Sequence, residues 1–335
     1  MAEVLYLDFF GAVVAVAADN TSWLAGMRSA FPDFVAAAPS SQNAFRLLIE
    51  EAADLPAVPD YPLTWEGVVP EGHRGSIHET DHSAFFTVED KVAVSLSYRE
   101  GWAELFVKPG SHPDFFISAV VPILDAALST RNQHLVHSGC VVDEATGRAI
   151  LICAPSGAGK TTTSMALARR GFALMTDDAS VIMSGPNNLR VWAMPRDLKV
   201  HRKTLELLPW IGPLPDRWDD NGEQGVSIAS LRERISIMPP RPVELGAIVL
   251  LGQRSANGHS LMPLSKPEML IALAHDNVAQ RAAGMTIKSR RLFETLADVV
   301  PRVPTFLLRA GEALDTLPDI ARRALEPWPQ RGDAP

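Results

Sequence analysis

The sequence predicts an α/β protein of two regions, a smaller mixed α/β region over residues 1–130 and a mixed-sheet domain over residues 131–330. Three observations predict it. An apolar strand at 149–154 runs into a glycine-rich loop and then a helix. A second short apolar strand at 172–176 follows that helix at once and ends in two aspartates. Before residue 131, short apolar runs are separated by turn residues, a strand pattern that carries no chemical constellation.

Taken in order, residues 4–18 read as two apolar strands around Gly11, followed by a turn at Asp19-Asn20. Thr21 is placed to cap a helix over 22–31, because its hydroxyl can accept an orphan backbone N–H. Residues 56–72 are rich in proline and other breakers and read as a loop. Strands follow at 84–87, 92–98 and 103–108, and residues 115–129 carry a helical pattern. Beyond 131, the chain reads as a strand at 135–142, a hairpin-like turn at 143–147 and the strand at 149–154. A helix over 160–170 is stopped by Gly171, the usual residue just past a helix end. Further strands are predicted at 172–176, 191–194, 245–251 and 301–308, with a terminal helix at 314–325. Residues 209–240 hold many breakers and charges and read as a long excursion from the core.

Composition narrows the function classes. The 335 residues are 47% hydrophobic and 21% charged, as in an ordinary globular protein that buries a core. A formal net charge of −8 argues against nucleic acid or an anionic membrane as partner. Cys140 and Cys153 lie inside apolar runs, which suits reduced core thiols rather than a disulfide framework or a metal site. The Met-Ala-Glu start does not read as a signal peptide, and the longest apolar runs fall short of a membrane span. These observations together predict a cytoplasmic protein; an oligomer is compatible with them.

The strongest motif is Ala154-Pro155-Ser156-Gly157-Ala158-Gly159-Lys160-Thr161, followed by Thr162. It fits the phosphate-binding loop in relaxed form, with Ala154 where glycine is commonest. Glycines let such a loop wrap until several backbone N–H groups converge on one anion, and the following helix presents its positive end to it. Lys160 would bring a mobile full charge to the outer phosphates, and the Thr161 hydroxyl would ligate Mg²⁺. The cofactors this predicts are ATP and Mg²⁺. Asp177 and Asp178 end a strand only 17 residues after Lys160, so strand, loop, helix and strand are contiguous. Two adjacent carboxylates beside phosphates can divide the work, one holding Mg²⁺ and the other accepting a proton from an attacking hydroxyl. A capping turn Thr-Asp-Asp is the bland alternative.

The run from His137 to Ile182, with His137-Ser138-Gly139, the loop, Arg170-Gly171 and Asp177-Asp178 in that order, resembles the catalytic domain of bacterial HPr serine kinase/phosphorylase. The resemblance implies a P-loop fold of the phosphoenolpyruvate carboxykinase-like type and is closest to the divergent kinases of that family. It implies Asp177 as general base, Asp178 as a Mg²⁺ ligand with Thr161, and His137 near the γ-phosphate. The sequence also departs from the family. Ser138 separates His137 from Gly139, where the family has His-Gly directly. A family Glu-x-Arg-Gly segment is only echoed by Asp197-Leu198-Lys199, and its later phosphate-handling arginine has no counterpart, leaving Arg202, Arg217, Arg232, Arg234 and Arg254 unplaced. These departures argue against reverse phosphorylase activity and against HPr itself as acceptor.

Within the basic stretch from Pro195 to Lys203, Arg196 and Lys199, with Asp197, are the candidates for touching substrate or phosphate; a solvated helix start is the alternative. Lys288-Ser289-Arg290-Arg291 opens a helix and reads as a solvated face. The function expected is transfer of the γ-phosphoryl group of ATP to a hydroxyl, foremost a serine on a peptide or protein, with residues 1–130 as a candidate acceptor-binding region. A small-molecule hydroxyl kinase would use the same site. A nucleotide-binding regulatory module would bind without forming a phosphorylated product and would need only one of the two aspartates.

Overall fold

The computed structural model describes residues 3–39, 44–69, 72–111, 113–155, 157–186, 188–195, 197–219, 222–278 and 285–327. The chain is mixed α/β and forms two compact units. One comprises Met1–His134 and Val278–Glu294, the other Leu135–Asn277 and Thr295–Pro335.

The first unit is built on β1 (Val4–Phe9), β2 (Ala12–Ala18), α1 (Thr21–Ala30), β3 (Val35–Ala36), β4 (Phe45–Glu51), β5 (Leu63–Val68), β6 (Arg74–Glu79), β7 (Ser83–Val88), β8 (Val92–Ser97), β9 (Trp102–Val107) and α2 (Pro113–Ser129). Its nine strands lie in the order β3-β1-β2-β4-β9-β8-β7-β6-β5. The β2–β4 and β4–β9 pairs are parallel and the others antiparallel. The turn between β1 and β2 needs two left-handed residues, Phe10 at φ 54° and Gly11 at φ 97°, and Asp8 closes it by accepting from the Gly11 N–H at 2.6 Å. Alternation then sends Leu5, Leu7, Phe9, Val14 and Val16 inward. The cap of α1 is Asn20 rather than Thr21. Its side-chain oxygen accepts from the Ser22 N–H at 3.0 Å, one residue earlier than expected. Strand β5 forms inside the stretch expected to be a loop, because pairing with β6 outweighs its breakers.

The second unit is built on β10 (Gln133–His137), β11 (Gly139–Asp143), β12 (Ala149–Cys153), α3 (Lys160–Ala168), β13 (Phe172–Thr176), β14 (Ala179–Ser184), β15 (Leu189–Ala193), β16 (Leu198–His201), α4 (Arg202–Leu207), β17 (Glu223–Val226), α5 (Ile228–Leu231), β18 (Val243–Leu251), β19 (Ser260–Pro263), α6 (Lys266–Asn277), α7 (Ile287–Arg302), β20 (Thr305–Arg309) and α8 (Leu317–Arg322). The first residues of β10 and of α7 belong to the first unit. The main sheet runs β10-β14-β15-β18-β12-β11-β13, and β20 joins β18 and β19. Strands β12, β18 and β20 are mutually parallel, so their C-terminal ends share one edge. Val141, Ile152, Met165, Leu174, Val200, Val249 and Phe306 are among the residues of the apolar core beneath that edge.

Three expectations for this unit are corrected. The single strand over 135–142 is two strands that break at Ser138 and sit at different places in the sheet; a continuous apolar run hides that break. Pro301 lies in the last turn of α7, and the strand begins at Thr305. The excursion over 209–240 returns Ile211, Val226, Leu231 and Ile235 to the core, and Leu174 exchanges backbone bonds with Ser236 and Met238 at 2.8 Å each. Among the described residues no helix is long and apolar enough to cross a membrane. Cys140 and Cys153 are free buried thiols; burial pushes Cys153 up to about 12 and Cys140 higher still.

Candidate active site

Strand β12 is wholly buried and delivers the loop to the C-terminal edge of the sheet. Gly157 at φ 75° and Gly159 at φ 100° adopt the left-handed backbone that makes the loop turn back on itself. No atom stands within 4 Å of where a Cβ would point at either, so conformation, not crowding, calls for glycine there. Gly159 caps α3 without a side-chain hydrogen bond, which leaves the positive end of the helix for an anion. Ala154 is buried, while Pro155, Gly157 and Ala158 are exposed; Ser156 lies outside the described residues.

Lys160 opens α3 and turns its ammonium onto two neutral acceptors, the Ala154 carbonyl at 2.8 Å and His137 Nε2 at 2.9 Å. Burial lowers its pKa, and the negative charges of Asp178 and Asp276 oppose that without cancelling it. Its other neighbours extend the cluster. The Thr161 hydroxyl donates to Asp177 Oδ2 at 2.8 Å, and His137 Nδ1 lies 2.7 Å from Asp178 Oδ1. With Lys160 donating to Nε2, the neutral imidazole carries its proton on Nδ1 and donates it to Asp178. The two carboxylates thus face different partners. Asp177 is 2% exposed, whereas the Asp178 side chain is 31% exposed and the His137 side chain 41%.

Local sequence explains how these groups meet. After β13 the Thr176 hydroxyl accepts from the N–H groups of Asp178 at 3.3 Å and Ala179 at 3.2 Å, so the Thr-Asp-Asp turn and the acidic pair coexist. Gly139 permits the approach: a Cβ there would stand 2.6 Å from Ser164 Oγ on α3 and 3.2 Å from the Asp177 carbonyl. Thr162 is turned toward α4, its hydroxyl 2.9 Å from that of Thr204. Met194 donates to the carbonyl of Ala179, so the chain leaves the sheet beside the acidic pair before entering β16. Lys199 is half-buried on β16 opposite the core-facing Leu198 and Val200, Asp197 is exposed, and Arg196 lies outside the described residues. Of the unplaced arginines, Arg202 lies over the Trp218 ring and Arg254 donates to the Gly311 carbonyl.

Two site neighbours escape sequence reading. Asn277, the last residue of α6, accepts from the His137 N–H at 2.6 Å, and Asp276 beside it bears electrostatically on Lys160. Neither carries a motif, and a contact across 140 residues has no local signal.

The donor set suits an anion such as a phosphate. The uncapped helix end, the left-handed glycines and a lysine that burial makes costly to keep charged all favour an incoming anion. Among the described residues no group of three or more His, Cys, Asp or Glu side chains is arranged to hold a metal, so a Mg²⁺ here would need phosphate oxygens beside Thr161 and a carboxylate.

No protein-family model matches the chain, and no curated protein matches it. Among solved structures it is similar to one described as the HPr(Ser) kinase/phosphatase from Coxiella burnetii, at 16% identity and a TM-score of 0.31. The likeness covers 57% of this chain and 95% of that one. A TM-score this low carries no argument about function.

Proposed function

We propose that the chain is a phosphotransferase of P-loop, carboxykinase-like type that moves the γ-phosphoryl group of ATP, with Mg²⁺, onto a hydroxyl acceptor, foremost a serine of a peptide or protein. The observation that carries the reading is the pair of contacts flanking Lys160, Thr161 to Asp177 and His137 to Asp178. When bound, ATP supplies the phosphoryl group and Mg²⁺ neutralises phosphate charge. Loop N–H groups and Lys160 would hold the phosphates, and Thr161 with Asp177 would hold the metal. Asp178 and His137, the more exposed pair, would take the proton of the acceptor hydroxyl, with Asp178 fixing the imidazole so that Nε2 is the basic nitrogen. Lys160 must first leave Nε2 for the phosphates, which frees that nitrogen.

This division of labour reverses the one the family resemblance implies, and a pair of variants separates the two. Asp177→Asn should raise the Mg²⁺ requirement, since an amide is a poorer ligand for a hard cation. Asp178→Asn should lower the transfer rate about 10²–10⁴-fold with its Mg²⁺ dependence unchanged. ATP hydrolysis, with water as acceptor, provides the assay until the hydroxyl acceptor is identified by mass spectrometry of phosphorylated products. The opposite pattern restores the implied roles. ATP binding with neither hydrolysis nor transfer would instead mark a regulatory module.

A further inference from the structure

The second unit has a cavity of about 500 Å³ at the edge of its sheet remote from the phosphate loop. Arg148 precedes β12, Glu244 and Gly246 lie near the start of β18, and Val303 and Pro304 precede β20; all of them line it. The parallel strands therefore run from this cavity toward the loop edge, over five residues in β12, roughly 16 Å.

Three arginines and one carboxylate make its charge. Arg148 is held by Glu244 at 3.2 Å and by the Leu325 carbonyl at 3.0 Å. Arg302 is held by Asp298 at 2.7 Å and by the Gly185 carbonyl at 2.8 Å. Each of these guanidinium groups is held by a backbone carbonyl and paired with a carboxylate. Arg190, exposed on β15 opposite Glu244, has no ion pair or hydrogen bond of its side chain among the described residues. Gly246 is packed closely at the edge of the cavity: a Cβ there would stand 2.5 Å from Leu325 and 3.2 Å from the Ala149 carbonyl oxygen.

We infer that this cavity binds a small molecule through one anionic head group, a phosphate monoester or a carboxylate, seated on Arg190. A guanidinium fork matches both oxyanions, and immobilised neighbours lose little further freedom on binding. Glu244 on the wall disfavours a densely charged polyanion, while the volume is that of a metabolite site. The site is separate from the phosphate loop and does not depend on the function proposed for it.

The test is a titration of the full ¹⁵N-labelled chain with inorganic phosphate and with acetate, followed at the arginine Nε–H and backbone signals. Saturable shifts of arginine signals should persist in Lys160→Ala, weaken at least tenfold in Arg190→Gln and vanish in Arg190→Glu, with the fold of each variant, read from its backbone spectrum without anion, intact. A response to both anions assigns a carboxylate or phosphate head group, and a response to phosphate alone a phosphate monoester. Absence of saturable shifts with either anion, or unchanged binding in Arg190→Glu, overturns the site. Phosphate shifts at loop amides that Lys160→Ala removes report on the other site, so the two readings fail separately.

Discussion

Lys160 in the second unit and Lys288 in the first are both drawn away from water, with opposite results. Burial lowers the pKa of Lys160, and its nearest partners are a carbonyl and a neutral imidazole. Burial also works against the charge of Lys288, but the adjacent Asp125 carboxylate and the charge of Glu79 together outweigh it and hold the pKa above the ordinary value. The solvated face expected from the basic run at 288–291 is instead, at Lys288, an ion pair that ties the helix start to α2. One lysine has its charge consumed by the fold, and the other keeps its charge for something the fold does not supply. The difference separates a cation that the fold neutralises from one it leaves open to a ligand, by partners, not by burial.

The comparison breaks most readily at Asp125. Asp125→Ala leaves Lys288 with only the charge of Glu79 to oppose its own and should cost about 3 kcal/mol in the unfolding transition of the first unit, without altering ATP affinity below that transition. Replacing both partners, Asp125→Leu with Lys288→Met, should restore most of the loss. Denaturant titration of the single and double variants decides it, and equal destabilisation by both would mean the pair is not what holds this helix.

Lys160→Ala should behave in the opposite way. Calorimetry should show ATP binding weaker by about 2–4 kcal/mol, because a charge-assisted contact to phosphate disappears. Stability should hold or rise. A lysine whose folded pKa lies below its unfolded value costs stability at neutral pH, a cost that fades as pH rises toward the unfolded pKa. Unchanged ATP affinity in the folded variant would remove Lys160 from the site.

The first unit holds a further buried base. His134 is 2% exposed, its Nε2 has no hydrogen-bond partner among the described residues, and burial lowers its pKa to about 4. Asp125 opposes that shift, and Lys288 and Arg291 reinforce it. The folded state therefore binds fewer protons than the unfolded one between about pH 6.5 and pH 4. Stability is full above the unfolded pKa and falls through this window, by up to about 3 kcal/mol. His134→Phe should flatten that limb of the stability curve; an unaltered limb would assign it to other groups.

What the sequence shows and what it hides follow the range of the interactions. The phosphate loop, α3 and the acidic pair are contiguous, and glycine spacing and apolar runs report such local geometry directly. The break at Ser138 is set by where β10 and β11 find partners, so an uninterrupted apolar stretch conceals it. Strand β5 forms among prolines because β6 pairs with it, and local composition knows nothing of β6. The return of 278–294 into the first unit, marked by the Lys288 pair with Asp125, is likewise long-range. So is the arginine cavity, whose three guanidinium groups come from a strand, the residue before another strand and a helix end.

Asn277 is the smallest of these effects and the closest to the chemistry. Its Oδ1 accepts from the His137 N–H at 2.6 Å while its Nδ2 donates to Leu273 at 2.9 Å, so the end of α6 fixes the backbone that carries the imidazole. In the transfer proposed above it would touch no reacting atom and would act as a positioning residue. Asn277→Ala removes both bonds; loss of the one to His137, about 1 kcal/mol, should reduce kcat about fivefold while the KM for ATP stays put. Asn277→Asp keeps the acceptor and should recover most of the rate if that bond is what matters. A general loosening of α6 would lower kcat, raise KM and reduce stability together, with no rescue by Asp. A fall in kcat that Asp rescues, with ATP binding intact, would tie the end of α6 to the proton transfer instead of to nucleotide binding.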